Sequence, residues 1–295
     1  MTKRFDPYTH PQFDDLIKHA VAPRPICFAS TIDGSGRVNL SPFSYFNLMS
    51  QRPPICVFSP LRRIRDGSTK HTLENMREVP QVVINIVDYG MVQQQSLAST
   101  EYAKEVNEFD KAGFTPTASE LVMPPRVAES PVQLECKVRE IIELADSPGA
   151  GSLVVAEVLR MHVQEQVLDD GNRIDQAKLD LVARLGGDWY CRVTSENLFR
   201  VAKPLRSLGI GVDQLPQHIR LSPVLTGNHL GQLGNVEELP SDEEVEALRT
   251  ESEICDMFNA FIGDKATLQI HLHRKAAEFL DAGDVHKAWK VLLLD

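Results

Sequence analysis

A series of strand-like segments constrains the fold of this chain most strongly. Each is rich in the β-branched and aromatic residues that strands favour, and few helical patterns lie between them. The segments are PICFASTI (25–32), PICVFS (54–59), QVVINIV (81–87), VQLECKVREIIEL (132–144) and SLVVAEVLRMHVQEQVL (152–168). The series predicts a mainly β fold, an antiparallel β-barrel with helical insertions, rather than a doubly wound parallel sheet.

A hairpin follows the first of these strands. DGSG (33–36) is a turn signal, and RVNLSPFSYFN (37–47) extends the hairpin as its second strand. Pro42 cannot donate to a β-ladder, so we expect a sheet edge or a bulge at this position. No Gly-x-Gly-x-x-Gly leads from a strand into a helix, so the local signature of a Rossmann nucleotide-binding fold is absent.

The chain changes character after Pro204. Residues 205–240 contain Gly, Pro and Asn often enough to predict an irregular wrap, whereas helical periodicity dominates from Ser241 onward. We therefore expect one domain at residues 1–204, followed by an irregular and helical C-terminal extension at residues 205–295.

Helix signals are specific in this extension. Ser241, followed three positions later by Glu244, forms a capping box. KATLQIHLHRKAAEFLDAG and DVHKAWKVLLL have the spacing of two amphipathic helices, which we expect to meet at Gly283. None of these segments carries visible chemistry, so the functional residues are expected in the first domain.

Composition excludes several classes of function. The chain has 295 residues, a formal net charge of −10 and a pI near 5.4, which argues against nucleic-acid or membrane partners because both require broad positive potential. No signal peptide or membrane span is evident. The five cysteines are scattered and form no Cys-x-x-Cys pair, so we expect no metal site and no disulfide framework. We predict a cytoplasmic protein with small-molecule partners.

One stretch concentrates positive charge in this acidic chain. SPLRRIRDGSTKHT (59–72), here the basic segment, contains a single acid, Asp66, against four basic residues: Arg62, Arg63, Arg65 and Lys70. The helical pattern KHTLENMREV follows, with Ser68 or Thr69 as the expected N-cap. Basic side chains, hydroxyls and a helix N-terminus together predict a phosphate cradle. A solvated basic loop is the alternative.

Several motifs in the same order resemble one family. PRPICFASTI, NLSPFSYFN (39–47, here the polar–aromatic motif), PPICVFS, KHTLENM and VVINIV, followed by NEFDKAGFTP and RLGGDWYCRV, closely resemble the flavin reductase-like, FMN-binding split-barrel family. The resemblance covers roughly residues 20–203. It departs at His71, where the family usually has an acid, so this residue is either a phosphate contact or an exposed helix residue without a role.

The resemblance implies a fold and a binding site. The fold would be a six-stranded Greek-key split β-barrel, commonly a homodimer with one FMN near each subunit boundary. Residues along the flavin ring and ribityl chain would be Asn39, Ser41, Pro42, Phe43, Ser44, Phe46 and Asn47. Phosphate ligands would be Ser59, Arg62 or Arg63, Lys70 and Thr72. The ring or substrate pocket would be approached by Gly186, Gly187, Trp189 and Tyr190. For Phe43, Tyr45 and Phe46, an ordinary place in the strand core is the alternative.

The implied function is an FMN-dependent oxidoreductase, an NAD(P)H:flavin reductase or close relative. NADH or NADPH would give hydride to flavin N5, and the electrons would then reach free flavin, a metal complex, oxygen or a protein. No side chain is predicted to be catalytic, because the cofactor supplies the chemistry. The alternative is a non-catalytic FMN-binding electron carrier or flavin-storage protein.

Overall fold

In the computed structural model, which describes residues 1–204 and 208–294, the strand-like segments form one antiparallel sheet of seven strands. The strands in chain order are β1 (Cys27–Ile32), β2 (Val38–Phe43), β3 (Phe46–Gln51), β4 (Pro54–Phe58), β5 (Gln81–Ile86), β6 (Pro116–Thr117), β7 (Arg126–Val127), β8 (Val132–Glu143), β9 (Ser152–Val163), β10 (Val182–Arg184) and β11 (Tyr190–Arg192). The order in the main sheet is β2-β1-β5-β8-β9-β4-β3, and β6–β7 and β10–β11 form separate pairs. The predicted antiparallel sheet is therefore confirmed.

The two edges of the main sheet are consecutive in the sequence. Edge strand β2 pairs with β1, edge strand β3 pairs with β4, and only Ser44 and Tyr45 join the two edges. Three Cα–Cα steps of about 3.8 Å separate Phe43 from Phe46, so these ends of the two edge strands lie within about 11 Å of each other and the sheet must curl. The prediction of an edge at Pro42 is confirmed, but the prediction of one strand over 37–47 is wrong. This division at Ser44 and Tyr45 gives seven strands where the family resemblance implies six.

Both faces of strand β1, which lies between β2 and β5, are buried. Cys27 and Ala29 pack into one apolar core, and Phe28 packs into another on the opposite face. Successive side chains of a strand point to opposite faces, so a strand covered on both sides reads as a continuous apolar run. This explains why PICFASTI shows no apolar–polar alternation.

Five helices accompany the sheet. They are α1 (Phe13–Ala20), α2 (His71–Glu78), α3 (Val92–Leu97), α4 (Glu108–Ala112) and α5 (Gln176–Leu179). Helix α2 covers the predicted helical pattern and ends before Pro80, since the residue before a proline disfavours helical geometry. Its Leu73 and Met76 are buried in the same core as Cys27, which fixes the end of the basic segment against the sheet.

The chain divides into two units, Met1–Phe199 and Arg200–Asp295. The described residues of the second unit contain no strand, so the mainly β description applies to the first unit alone. The helices of the second unit are α6 (Gln217–Arg220), α7 (Gly227–Gly234), α8 (Asp242–Arg249), α9 (Ser252–Ala260), α10 (Lys265–Asp281) and α11 (Val285–Leu292). The predicted start of the irregular wrap at 205–207 lies outside the described residues.

The helix signals of the extension are confirmed. The Ser241 hydroxyl accepts the N–H of Glu244, and the Glu244 carboxylate accepts the N–H of Ser241. Gly283 separates α10 from α11 with a φ of +81°, a backbone conformation that glycine adopts without strain. Trp289 is fully buried in the core of this unit and donates to the Leu233 carbonyl at 3.1 Å. Over the described residues, no helix has the length and apolarity needed to cross a membrane.

Candidate functional site

The two predicted parts of the site are neighbours in the fold. The Ser59 N–H donates to the Tyr45 carbonyl at 2.8 Å, so the end of β4 lies against the joint between β2 and β3. At the other end of the basic segment, the Thr72 hydroxyl donates to Asn39 Oδ1 at 2.7 Å. Two hydrogen bonds therefore join the basic segment to the polar–aromatic motif.

Asn39 and Thr72 belong to a buried polar cluster that includes Glu108. The Asn39 amide donates to Glu108 Oε1 at 2.8 Å, and the Leu40 N–H donates to Glu108 Oε2 at 3.0 Å. Burial raises the pKa of the Glu108 carboxyl, against the opposing effect of these hydrogen bonds. The cluster fixes the start of α4 to β2 and directs the Thr72 hydroxyl hydrogen toward Asn39.

Sequence reasoning did not identify Glu108 as part of the site. The residue lies inside NEFDKAGFTP, one of the motifs that carry the family resemblance. An acid at that place in a motif was the available signal, but its partners lie on a distant strand. Side-chain pairing across the fold cannot be read from local spacing.

The Ser59 hydroxyl, at the start of the basic segment, is buried and has no hydrogen-bond partner among the described residues. Among the described residues, the buried Oγ atoms of Ser59 and of Ser152, which begins β9, have no hydrogen-bond partner. A Cβ atom added at Gly151 would lie 2.4 Å from Ser59 Oγ, so glycine is needed to leave space for the hydroxyl. A buried polar group without a partner costs free energy. This arrangement fits a ligand oxygen that completes the hydrogen bonding.

Arg62 and Arg63 hold the basic segment in a tight turn. Arg62 donates to the Gly67 carbonyl at 3.1 Å and to the Glu143 carboxylate at 2.9 Å. Arg63 donates to the Ser68 hydroxyl at 3.0 Å. Buried Nε of Arg62 has no partner within the described part of the chain, so this guanidinium still has a donor to offer.

An acid that sequence reasoning did not identify lies among the cations. Glu101 Oε1 is 3.2 Å from Arg63 Nε and 3.5 Å from Lys70 Nζ, and Glu101 Oε2 is 3.2 Å from Arg65 Nη1. Burial by itself raises the pKa of Glu101, but the charges of the three cations outweigh it and lower the pKa. Three cations of the basic segment therefore face one carboxylate of this chain, and binding of a phosphate by the segment stays a prediction.

The predicted N-cap of α2 is wrong. Lys70 is the N-cap, and its side chain makes no capping hydrogen bond. The Thr69 hydroxyl instead donates to Glu74 Oε1 at 2.8 Å, and the Ser68 hydroxyl bonds within the turn. His71 is the first residue of the helix, and burial lowers the pKa of its imidazole. Contact between His71 and a phosphate stays a prediction.

The polar–aromatic motif divides its side chains between core and surface. Phe43 is buried with its ring centroid 5.5 Å from that of Phe58, and Phe46 packs against the same core. Asn47 is exposed and accepts the N–H of the next residue at 2.8 Å. The half-buried members are Ser41, Pro42 and Ser44. Phe43 thus has the core position that the alternative interpretation gives it, and contact of the motif with a flavin ring stays a prediction.

Gly186 makes a close approach to the N-terminal helix α1, and an approach of this residue to a flavin ring or substrate pocket stays a prediction. A Cβ atom at this position would lie 2.3 Å from the His19 ring on α1, and Gly187 has a φ of +56°. Trp189, in the same turn between β10 and β11, is 74% exposed. The turn therefore packs against the N-terminal helix and presents an indole to solvent.

Tyr190 lines a cavity of about 350 Å³ in the first unit. Tyr89, Arg184 and Arg192 also line it. The guanidinium of Arg192 lies over the Tyr89 ring at 3.8 Å from its centroid, and that of Arg184 lies over the Tyr190 ring at 4.7 Å. The volume is sufficient for a ligand with a single ring.

The His, Cys, Asp and Glu side chains of the described residues were also compared with the arrangement that a metal site requires. Residues 1–204 and 208–294 contain no group of three or more His, Cys, Asp or Glu side chains arranged to hold a metal ion. His162 bonds to the buried Glu135 at 2.6 Å, and Glu135 also accepts backbone N–H groups of the 120–122 loop. This pair therefore anchors a loop. The buried cysteines are Cys27, Cys56 and Cys136.

Comparison with known proteins identifies the family. Residues 20–178, which contain the basic segment and the polar–aromatic motif, match the flavin reductase like domain. The chain belongs to the flavin reductase-like family. An uncharacterized protein of Aquifex aeolicus is 33% identical over 186 residues, which cover 63% of this chain and 92% of that relative. The family match ends at residue 178, so the C-terminal part of this chain lies outside it.

Two solved structures are similar to this flavin reductase-like chain. Nitrilotriacetate monooxygenase component B from Bacillus cereus has a TM-score of 0.63 and 28% identity, over 68% of this chain and 99% of that one. The 2-nitrobenzoate 2-nitroreductase of Pseudomonas fluorescens has a TM-score of 0.60 and 29% identity, over 71% of this chain and all of that one. These similarities support a flavin-related oxidoreductase with the split-barrel type of fold.

Proposed function

We propose that this protein is an FMN-dependent oxidoreductase, an NAD(P)H:flavin reductase or close relative. The observation that carries the proposal is the buried, unpartnered Ser59 hydroxyl. It begins a segment with three clustered cations and is hydrogen-bonded through its backbone to the joint of the polar–aromatic motif. A phosphate with an attached flat ring satisfies both parts of such a site.

The residues that would hold FMN divide by chemistry. Ser59, Arg62 or Arg63, and Lys70 would bind the phosphate, because charge-assisted hydrogen bonds from such groups are strong. Thr72 and Asn39 would support the site from behind, since their side chains are already bonded to each other. Bound FMN would supply the hydride and electron transfer.

The polar–aromatic motif would bind the flavin ring and ribityl chain at the edge of the sheet. Ser41 and Ser44 offer hydroxyls, and Pro42 leaves its strand without one ladder donor. Asn47 is solvent-exposed on β3 and can meet a ligand or a second subunit. Phe43 and Phe46 would support the ring site through the core.

We propose the cavity beside Tyr190 as the place where a second small molecule binds. Tyr89 and Tyr190 line it with aromatic rings, and Arg184 and Arg192 line it with guanidinium groups that already donate to Tyr190 and Asp180. The related Pseudomonas fluorescens protein is named for reduction of 2-nitrobenzoate, so a single-ring acceptor is consistent with the volume. Gly186, Gly187 and Trp189 would shape the rim of this pocket. The electron donor would be NADH or NADPH.

The remaining parts of the proposal concern assembly. We assign residues 1–204 to the flavin domain and 205–295 to an extension, in support of which the family match ends at residue 178. The proposal includes a closed Greek-key barrel and a homodimer, which are the arrangements that the family resemblance implies. The proposal of a dimer is supported by exposed apolar side chains on β3, β8 and β9, which a second subunit could cover. They are Leu48, Met49, Ile142, Leu159 and Met161. Free thiols suit the cytoplasm.

An absorption spectrum of the freshly purified protein tests the proposal. We expect flavin bands near about 370 and 450 nm that bleach when NADH or NADPH is added without oxygen, because bound FMN would accept hydride. Flavin bands that persist would favour an electron carrier or storage protein. A colourless protein that takes up no added FMN would contradict flavin binding altogether.

A single substitution tests the phosphate site. Lys70→Met should weaken FMN binding about 10- to 100-fold while leaving riboflavin binding unchanged, since one charge-assisted hydrogen bond is worth roughly 1.5–3 kcal/mol. Lys137→Met, at an exposed position of β8, is the matched control and should alter neither ligand. Equal losses for FMN and riboflavin in Lys70→Met would move the phosphate site elsewhere.

A further inference from the structure

Glu101 makes ion pairs with three cations that come from one short segment. Arg63 and Lys70 share Oε1 of its carboxylate, and Arg65 meets Oε2. Two of these cations, Arg63 and Lys70, are the proposed phosphate ligands. A carboxylate with two oxygens and one negative charge thus makes the contacts that a phosphate would need.

The position of Glu101 in the chain allows it to move. It lies between α3 and α4, outside both helices, and its side chain is 37% exposed. The loop that carries it is fixed at its far end, because Glu108 at the start of α4 is bonded to β2. Water competes for ion pairs near the surface and weakens them, and the side chains of Lys70 and Arg65 are 29% and 68% exposed. The carboxylate can therefore leave the cations without disturbing the core.

Charge makes simultaneous occupation by Glu101 and a phosphate unfavourable. A phosphate monoester carries about −1.5 to −2 charges at neutral pH, and two anions a few ångströms apart repel strongly. The three cations would have to neutralise the Glu101 carboxylate and the phosphate at the same time. Either the carboxylate leaves, or phosphate affinity falls.

We propose that Glu101 occupies the phosphate site as an internal competitor and thereby sets how strongly this protein prefers phosphorylated over unphosphorylated flavin. This inference rests on the proposed FMN site. The displaceable group of that site would be the Glu101 carboxylate, which the loop between α3 and α4 carries. Riboflavin, which has no phosphate, would not need Glu101 to leave.

The test compares Glu101→Gln with Glu105→Gln. Both substitutions remove one negative charge from the same loop, but Glu105 makes no ion pair with the basic segment among the described residues. Binding of FMN, riboflavin and inorganic phosphate would be measured for both variants and the wild type by calorimetry. Thermal unfolding would verify that each variant is folded.

Glu101→Gln should strengthen FMN and inorganic phosphate binding about tenfold, because the phosphate no longer competes with a carboxylate for the same cations. Riboflavin binding should not change, and Glu105→Gln should resemble the wild type. An unchanged FMN-to-riboflavin ratio in Glu101→Gln would overturn the inference, as would an equal gain in both variants.

Failure of the proposed function would look different. If the wild type binds neither flavin, the FMN site is wrong, and inorganic phosphate then decides the inference. Tighter phosphate binding in Glu101→Gln would still show that Glu101 competes for an anion site. If Glu101→Gln bound inorganic phosphate no more tightly than the wild type, both the FMN site and the role of Glu101 as a competitor would be overturned.

Discussion

Glu101 and Glu108 belong to the same stretch of chain and have the same side chain, yet their environments act on them in opposite directions. Glu108 is buried against β2 and accepts two N–H donors, and burial raises its pKa. Around Glu101 the charges of Lys70, Arg65 and Arg63 outweigh partial burial and lower its pKa. Burial therefore decides the direction of the pKa shift for Glu108, and neighbouring charge decides it for Glu101.

The difference separates the frame of the site from its exchangeable part. The donors of Glu108 have no access to water, so losing the carboxylate leaves them unpaired. The cations around Glu101 lie nearer to solvent, with side chains of Lys70 and Arg65 that are 29% and 68% exposed, so water or another anion can take the place of the carboxylate. One acid therefore holds the candidate site together, and the other is the one that we propose a phosphate replaces.

The largest effect should follow from removing the buried acid. Glu108→Ala should lower the free energy of unfolding by about 2–4 kcal/mol, because the Leu40 N–H and the Asn39 amide lose their acceptor and a cavity forms. Urea unfolding measures this loss. Asp110→Ala, at an exposed position of α4, is the control and should cost less than about 1 kcal/mol. Equal costs would remove the distinction between the two acids.

Two glycines extend the comparison to steric contacts. Gly151→Ala would press a methyl group against Ser59 Oγ, with Leu61 and Leu144 also close, and should cost about 1–3 kcal/mol as an overpacking change. Gly186→Ala meets the ring of His19, whose side chain is half exposed and can turn away. We expect less than about 1 kcal/mol there.

The two glycine variants have separate readouts. Gly151→Ala should also weaken FMN relative to riboflavin, because Ser59 borders the proposed phosphate site. For Gly186→Ala, the double variant His19→Ala/Gly186→Ala should restore the stability of His19→Ala, since the clash is gone. If Gly186→Ala proved as costly as Gly151→Ala, the His19 contact would be rigid rather than displaceable.

The smallest effect is a difference in pH dependence. The pKa of Glu108 is raised above its ordinary value of 4.5, so its contribution to stability is complete below that value and is lost as pH rises through the raised pKa. Glu101 has a lowered pKa, so its contribution is present above 4.5 and is lost as pH falls through the lowered pKa.

Unfolding curves between acid and neutral pH measure this difference. The stability gap between wild type and Glu108→Gln should narrow as pH rises, whereas the gap between wild type and Glu101→Gln should widen. Parallel changes in the two gaps would mean that the two carboxyls share one environment.

Local pattern was sufficient for much of the fold. The β1 strand, the helix α2 and the capping box at Ser241 are all recognised within a few residues, because apolar runs, proline and capping residues act locally. The N-cap of α2 was misplaced since Thr69 found a partner in Glu74. The division at Ser44 and Tyr45 was missed, because it depends on two sheet edges meeting.

The sequence could nominate residues of the candidate site only where their charge or their place in a motif stands out locally. Arg63 and Lys70 stand out in an acidic chain, and Ser59 ends a recognisable strand. Glu101 and Glu108 gave no such sign, because each acquires its role from partners far along the chain. Acids in an acidic protein are common, and only the fold distinguishes these two.

The order of strands in the main sheet also has a consequence for how the protein is made. Strand β4 pairs with β9, so one side of β4 finds no neighbour until the ribosome has synthesised Ser152–Val163. Pairings between distant segments are slow to form, because the loop between them must first be closed. A newly made chain would therefore carry the hairpin of β3 and β4 as an unpaired edge, open to misassembly, for about half of the time that the first unit, Met1–Phe199, takes to emerge.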